Sequence, residues 1–270
     1  MRKILAAVAL VLAAVAAVYI ISPPSKSFKI RSRILGEKRV ILEYVPKGYA
    51  SSGKTFPVLL HLDADPSDST YGPSFYRIAK NVNRLGTPVP EMIVLGITNT
   101  DRTRDMIPAK DTSSGVPVPG EAQNFLGFIT DELIPEIRSR FRTSEMFLLY
   151  GRSDSGLFAL YAFMESPDTF QAVIAASPSL GRCPAFMKAG MTKLFGERPD
   201  QAGTLFIVYG AQERILSPLV TRFANTIKSV ASDQLVLGIK RVEGAGHIPK
   251  SSLEDGLKFV FSQQRGGDEN

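Results

Sequence analysis

Three residues able to do hydrolytic chemistry stand just past apolar runs. They are Ser153 in Gly151-Arg152-Ser153-Asp154-Ser155-Gly156, Glu213 in Tyr209-Gly210-Ala211-Gln212-Glu213, and His247 in Gly244-Ala245-Gly246-His247. A serine hydroxyl is a weak nucleophile until an imidazole takes its proton, and a carboxylate on the other ring nitrogen fixes the tautomer that can do so. A strand that turns sharply into a helix exposes such a serine if the residues two before and two after it are small. Gly151 fits the first position, and Ser155, with Gly156 beside it, stands at the second. Alone, the segment could equally be a Gly/Ser turn with Ser153 or Asp154 capping a helix. Chain order favours catalysis: serine, acid and histidine follow one another with gaps of 60 (153 to 213) and 34 (213 to 247) residues, one of the recurring triad orders. Ser155 is the poorer nucleophile candidate, since Ser153 and Leu157 would flank it.

Other chemistry is thinly supplied. The chain has two histidines, and His61 lies inside the apolar run 58–62, so it reads as a core residue. One cysteine, Cys183, excludes an internal disulfide and a multi-cysteine metal site. Asp63, Asp65 and Asp68 lack the glycine and terminal glutamate of a calcium loop, so no metal is expected. Arg102, Arg104 and Asp105 read as a loop pinned by ion pairs rather than as substrate contacts. Thirty-two Lys and Arg against 26 Asp and Glu give a net charge of +6, but the positives are scattered. A nucleic-acid footprint is therefore not expected.

The elements that must position these residues alternate between strands and helices. Residues 30–35 and 38–44 are β-rich and separated by Gly36-Glu37, which predicts an antiparallel hairpin. Continuous apolar runs at 58–62, 92–97, 147–150, 172–176 and 205–209 predict strands covered on both faces, and 235–242 a last strand. Phe125, Phe128, Ile129, Leu133, Ile134, Ile137 and Phe141 share one face at helical spacing, as do Leu219, Val220, Phe223, Ile227 and Val230. A helix over 253–261 closes the chain. The expected fold is α/β: a mostly parallel sheet with helices on both faces and an antiparallel N-terminal edge. The stretch 106–120, rich in Pro, Ser and Gly, reads as a long loop near the functional face. Nothing divides residues 27–265 into two domains, and residues 266–270 form a polar tail.

The N-terminus is a separate matter. Arg2 and Lys3 precede an uncharged apolar run over residues 4–21, at the lower edge of what spans a hydrocarbon core of about 30 Å. Ala14-Val15-Ala16 also offers a cleavage pattern. Residues 1–26 are therefore expected to be a signal peptide or signal-anchor helix. The rest of the chain would be exported, either anchored to the membrane through residues 4–21 or released.

Several blocks in order resemble a known family. They are 91–108, 124–143, 148–163 with its LLYGRSDSGLFALYAF, 166–180 with its SPDTFQAVIAASPSL, and DGLKFVF near the end. Over most of residues 27–262 the chain resembles the esterase branch of the α/β-hydrolases, the group containing esterase D, feruloyl and acetylxylan esterases and enterochelin esterase. That resemblance implies carboxylic-ester hydrolysis without a cofactor, with Ser153 as nucleophile, His247 as base and Glu213 as acid. The substrate would be a small-molecule, carbohydrate-linked or peptide-linked ester.

The oxyanion hole needs the backbone N–H of the residue after the nucleophile, here Asp154, and one from the loop after the first long parallel strand. Ala64 is the expectation for the second, with Asp65 as the alternative. The family usually reads Gly-His-Ser-x-Gly-Gly at the elbow, so Asp154 and Ser155 are departures. A carboxylate at Asp154 would oppose the developing oxyanion unless it faces solvent or pairs with Arg152. A pseudo-hydrolase with a binding role and an acyltransferase using the same triad are the two alternatives.

Overall fold

The computed structural model describes residues 26–64, 74–108 and 120–265. Eight strands form one sheet in the order β1-β2-β4-β3-β5-β6-β7-β8. They are β1 (Ser27–Arg31), β2 (Lys38–Tyr44), β3 (Phe56–His61), β4 (Ile93–Ile97), β5 (Thr143–Arg152), β6 (Ala172–Ala176), β7 (Gly203–Gly210) and β8 (Leu235–Val242). The pairs β1/β2 and β2/β4 are antiparallel and every other pair is parallel. The expected α/β class and antiparallel edge are what the chain forms.

Among the described residues there are eight α-helices: α1 (Phe75–Val82), α2 (Arg102–Met106), α3 (Ala122–Gly127), α4 (Ile134–Arg140), α5 (Asp154–Glu165), α6 (Pro184–Glu197), α7 (Leu216–Val230) and α8 (Ser252–Arg265). Helices α1 and α8 cover one face of the sheet, packing on Val94, Leu148 and Ile174. The others cover the opposite face around Leu95, Leu149 and Val173. Cover on both sides explains why β4 and β6 are buried at all five positions each and read as unbroken apolar runs. Helix α5 is the innermost: every residue from Asp154 to Met164 is buried. That is why LFALYAFM carries no polar stripe.

Three local differences from the sequence reading have physical causes. Strand β1 starts earlier and ends at Arg31, because the connection folds back on itself: Ser32 N donates to Glu37 O at 2.9 Å and Leu35 N to Ser32 Oγ at 2.9 Å. The single helix expected over 125–141 is α3 and α4 joined by a π-helical stretch, Phe128–Leu133, whose wider turn re-aims the apolar face part-way along. Helices α1, α2 and α6 have no counterpart in the sequence reading, which has Arg102, Arg104 and Asp105 in a loop where the structure has the short helix α2. Helix α6 contains Gly190 and Gly196, which weaken its intrinsic helical signal by about 1 kcal/mol each relative to Ala.

Residues 1–25, 65–73, 109–119 and 266–270 lie outside the described residues, and with them the apolar run 4–21 and most of the long loop. Among the described residues no helix is long and apolar enough to cross a membrane.

Candidate active site

Strand β5 ends at Arg152 and α5 begins at Asp154, which leaves Ser153 to make the turn. Its backbone sits at φ 56°, ψ −118°, a region that residues other than glycine occupy only when their surroundings hold them there. Those surroundings are explicit: Ser153 N donates to Ala176 O at 2.9 Å, and Ser153 O accepts from Leu157 N and Ser179 N at 3.0 Å each. Gly151 has to be glycine, since a Cβ there would stand 2.0 Å from Ser155 O. Ser155 is fully buried. Its hydroxyl donates to Asp63 Oδ2 at 2.6 Å and accepts from Arg152 N at 2.8 Å. It braces the elbow and has no access to a substrate.

The expected acid and base meet. His247 Nδ1 lies 2.6 Å from Glu213 Oε1, and the second carboxylate oxygen accepts from Gly210 N at 2.8 Å and from Ser177 Oγ at 2.6 Å. Glu213 is thus aimed by the end of β7 and by the residue that follows β6. The histidine loop rests directly on β7. A Cβ on Gly210 would come within 2.1 Å of Gly246 O, so only glycine lets the loop approach. With Nδ1 donating to the carboxylate, Nε2 carries the free lone pair that a general base needs. The expected nucleophile and base are not hydrogen-bonded to each other. Ser153 Oγ is hydrogen-bonded to Ser179 Oγ at 3.2 Å instead. A cleft of about 540 Å³ opens beside His247, walled by Ser179, Arg182, Arg214, Ile215 and Leu219.

Asp154 resolves differently from either expected arrangement. Its carboxylate is buried rather than solvent-facing, and its partners are Arg102 Nη1 at 2.8 Å and Arg182 Nη2 at 3.4 Å, not Arg152. Arg102 also clamps Asp63 through Nε at 2.9 Å and Nη2 at 3.0 Å. Asn99 adds a further donor to Asp63 at 2.8 Å. Burial pushes the Asp63 carboxyl up, but the Arg102 hydrogen bonds and charge, with Ser155 and Asn99, outweigh it and hold the group below its ordinary value. The same carboxylates raise Arg102 against its own burial. Arg102 therefore ties the end of β3 to the elbow and draws the Asp154 carboxylate to itself. At the start of α5 the first N–H groups have no intrahelical acceptor, so the Asp154 N–H is available to an incoming oxyanion. The second expected donor is not: Ala64 N donates to Ile97 O at 3.2 Å, extending the sheet past β3. Ala64 is corrected on that ground, and Asp65 lies outside the described residues.

The neighbouring charges behave as loop pins. Arg104 bonds Asp105 and Glu37 at 2.8 Å each, and the fully buried Arg39 bonds Asp105 and Glu37. His61 is in the core, and among the described residues neither ring nitrogen has a hydrogen-bond partner within range. Burial, reinforced by the Arg152 charge, pushes its pKa down to about 3. Asp63, Ser177, Ser179 and Arg182 were not read as site residues. The only signal for any of them lay in SPDTFQAVIAASPSL, where a serine closes an apolar strand.

The model of the family described as "Putative esterase" matches residues 32–217. The chain belongs to this family. It is 29% identical over 140 residues to the ferri-bacillibactin esterase BesA of Bacillus subtilis, a match covering 46% of this chain and 48% of BesA. It is 31% identical over 100 residues to the siderophore triacetylfusarinine C esterase of Aspergillus fumigatus, covering 35% of this chain and 34% of that protein. The matched segments thus span half or less of these relatives' own lengths. Among solved structures, an IroE-like serine hydrolase from Shewanella oneidensis superposes with a TM-score of 0.75 at 28% identity, covering 88% of this chain and 80% of that one. The BES protein from Bacillus cereus also gives 0.75, at 23% identity, and shares the fold.

Proposed function

We propose that this esterase-family chain is a serine carboxylic-ester hydrolase in which Ser153 is the nucleophile, His247 the base and Glu213 the acid. The observation that carries the reading is the 2.6 Å contact of His247 Nδ1 with Glu213 Oε1, beside the strained backbone of Ser153 at the strand-to-helix turn. Ser153 Oγ leaves Ser179, gives its proton to His247 Nε2 and bonds to the ester carbonyl carbon. The tetrahedral oxyanion is received by the Asp154 N–H. Collapse breaks the C–O bond, and the alcohol departs with the proton from His247. Water then repeats the sequence on the acyl-enzyme, releasing the acid and restoring Ser153. Apo hydrogen bonds between nucleophile and base are often long or misaligned and tighten with substrate. The Arg102 and Arg182 contacts to Asp154 support turnover over a pseudo-hydrolase, because the carboxylate is engaged there. We take the substrate to be a siderophore ester, the class given in the name of the Aspergillus fumigatus relative, acted on after export of the chain.

A fluorophosphonate probe should label the wild-type protein and leave Ser153→Ala unlabelled, and equal labelling of both would end the assignment. On short p-nitrophenyl esters, His247→Ala should lose several orders of magnitude in kcat, because triad members act as a unit. Glu213→Gln keeps the base and should lose less.

A further inference from the structure

Ser177 follows β6, is 1% exposed and carries a positive φ of 43°. Its backbone is fixed by the bond from Ser177 N to Val208 O at 2.7 Å. The hydroxyl makes two contacts that belong to different strand ends. It donates to Glu213 Oε2 at 2.6 Å and accepts from Ile248 N at 3.0 Å. Ile248 is the residue directly after His247 and also has a positive φ, 60°. A serine hydroxyl has one proton and two lone pairs, so both contacts can exist at once, with the proton committed to the carboxylate. One side chain thus sets the direction of the acid and the position of the loop carrying the base.

We propose that Ser177 is a positioning residue of the triad, holding Glu213 and the His247 loop in mutual register through one shared hydroxyl. The proposal rests on the triad reading above. Without the hydroxyl, Glu213 keeps Gly210 N but loses its donor from the β6 side, and the Ile248 N–H loses its acceptor. The loops stay joined by Gln212 N to Ala245 O at 3.0 Å, but the Glu213 carboxylate and the Ile248 N–H lose their common anchor. The loss falls on the chemical step, since Ser177 lines the cleft wall beside Glu213 without being the group that attacks.

Three variants of the full-length chain separate this from a structural role. Ser177→Ala removes the hydroxyl and keeps the strained backbone. Ser177→Gly removes the hydroxyl and relieves the strain, because glycine takes positive φ without cost. Ser177→Cys keeps a weak donor at the same place. Both Ala and Gly should lower kcat about tenfold, the size set by one lost hydrogen bond to a charged group, with KM unchanged. Cys should recover part of the loss. The downfield proton signal of His247 Nδ1–H in the wild-type spectrum should broaden or move in both Ala and Gly variants. A Gly variant with wild-type kcat would show that only the backbone matters and would overturn the proposal. So would equal falls in Ala and Gly accompanied by an unmoved Nδ1–H signal. A wild type that neither turns over esters nor takes the phosphonate label would instead overturn the triad reading, and the proton signal would still report whether Ser177 sets the Glu213–His247 contact.

Discussion

Replacing Arg102 by glutamine shortens the side chain by two atoms and removes the charge on which two carboxylates depend. In the wild type three of its nitrogens reach Asp63 and Asp154 at 2.8–3.0 Å, with side-chain exposures of 34% for Arg102, 7% for Asp63 and 9% for Asp154. Removing one partner of a buried ion pair costs about 3–5 kcal/mol, because a buried charge is left behind. Arg102 is a third exposed, and Asp154 keeps Arg182 while Asp63 keeps Ser155 and Asn99. The low end, about 3 kcal/mol, is therefore expected, and for a chain of this size that is a fall in Tm of about 6–12 °C.

Activity should respond for a different reason. With Arg102 gone, Asp154 keeps only the longer Arg182 contact at 3.4 Å. A carboxylate that swings to about 6 Å from the oxyanion, at an effective dielectric of about 20, opposes it by at most about 2.8 kcal/mol, or about 100-fold in kcat/KM. The assay is ester turnover and thermal melting of Arg102→Gln beside Arg102→Gln/Asp154→Asn. The double variant should regain most of the activity and little of the stability, since Asp63 still lacks its partner. If the double variant is as slow as the single one, Arg102 is not restraining Asp154, and the electrostatic account of the elbow is wrong. The pH dependence has a definite sign. Asp63 is held below its ordinary value of 3.8 in the fold. Its contribution is therefore present above that pH and is lost as pH falls through the folded value. The stability gap between wild type and Arg102→Gln should be widest at neutral pH and close below about pH 4.

Two further outcomes are expected. His61 has its pKa lowered from 6.5 to about 3, so the unfolded chain binds a proton between these values that the folded chain does not, and stability should fall by about 1.4 kcal/mol per pH unit on acidification through that window. His61→Leu should flatten the dependence in urea titrations at pH 7 and pH 4.5, and an unchanged slope would mean that His61 titrates normally. If residues 4–21 are an anchor, the full-length chain should stay with membranes through a carbonate wash and begin at Met1, whereas a soluble form beginning near Ala17 would establish cleavage.

The sheet was legible because its strands are buried on both faces, so runs such as Ile93-Val94-Leu95-Gly96-Ile97 announce themselves without periodicity. The elbow was legible because Gly151, Ser153 and Gly156 sit between such a run and a helix. The Asp154 partner was not. Sequence proximity pointed to Arg152, but Arg102, 52 residues away, reaches the carboxylate because β4 and β5 both flank β3. Ala64 failed for a related reason: whether a loop N–H is free depends on the neighbouring strand, and Ile97 O takes it. Ser177 was invisible because nothing local distinguishes a serine after a strand from any other.

The bonds that build this site join residues far apart in the chain. Asp63 and Ser155 are separated by 92 positions, Ser177 and Ile248 by 71, Arg102 and Asp154 by 52 and Glu213 and His247 by 34. Each needs the strands that carry its two residues to have docked, β3 and β5 for Asp63 and Ser155 and β7 and β8 for Glu213 and His247, and long-range pairings are the slow part of folding because their loop-closure entropy precedes the contacts that offset it. During refolding, helical signal should therefore return before esterase activity, and the last step to complete should be the one that seats the loop after β8. In a cell, a chain still waiting for that step would present the apolar C-terminal ends of its strands, so the interval before the site closes is also the interval in which this protein is most exposed to aggregation and proteolysis.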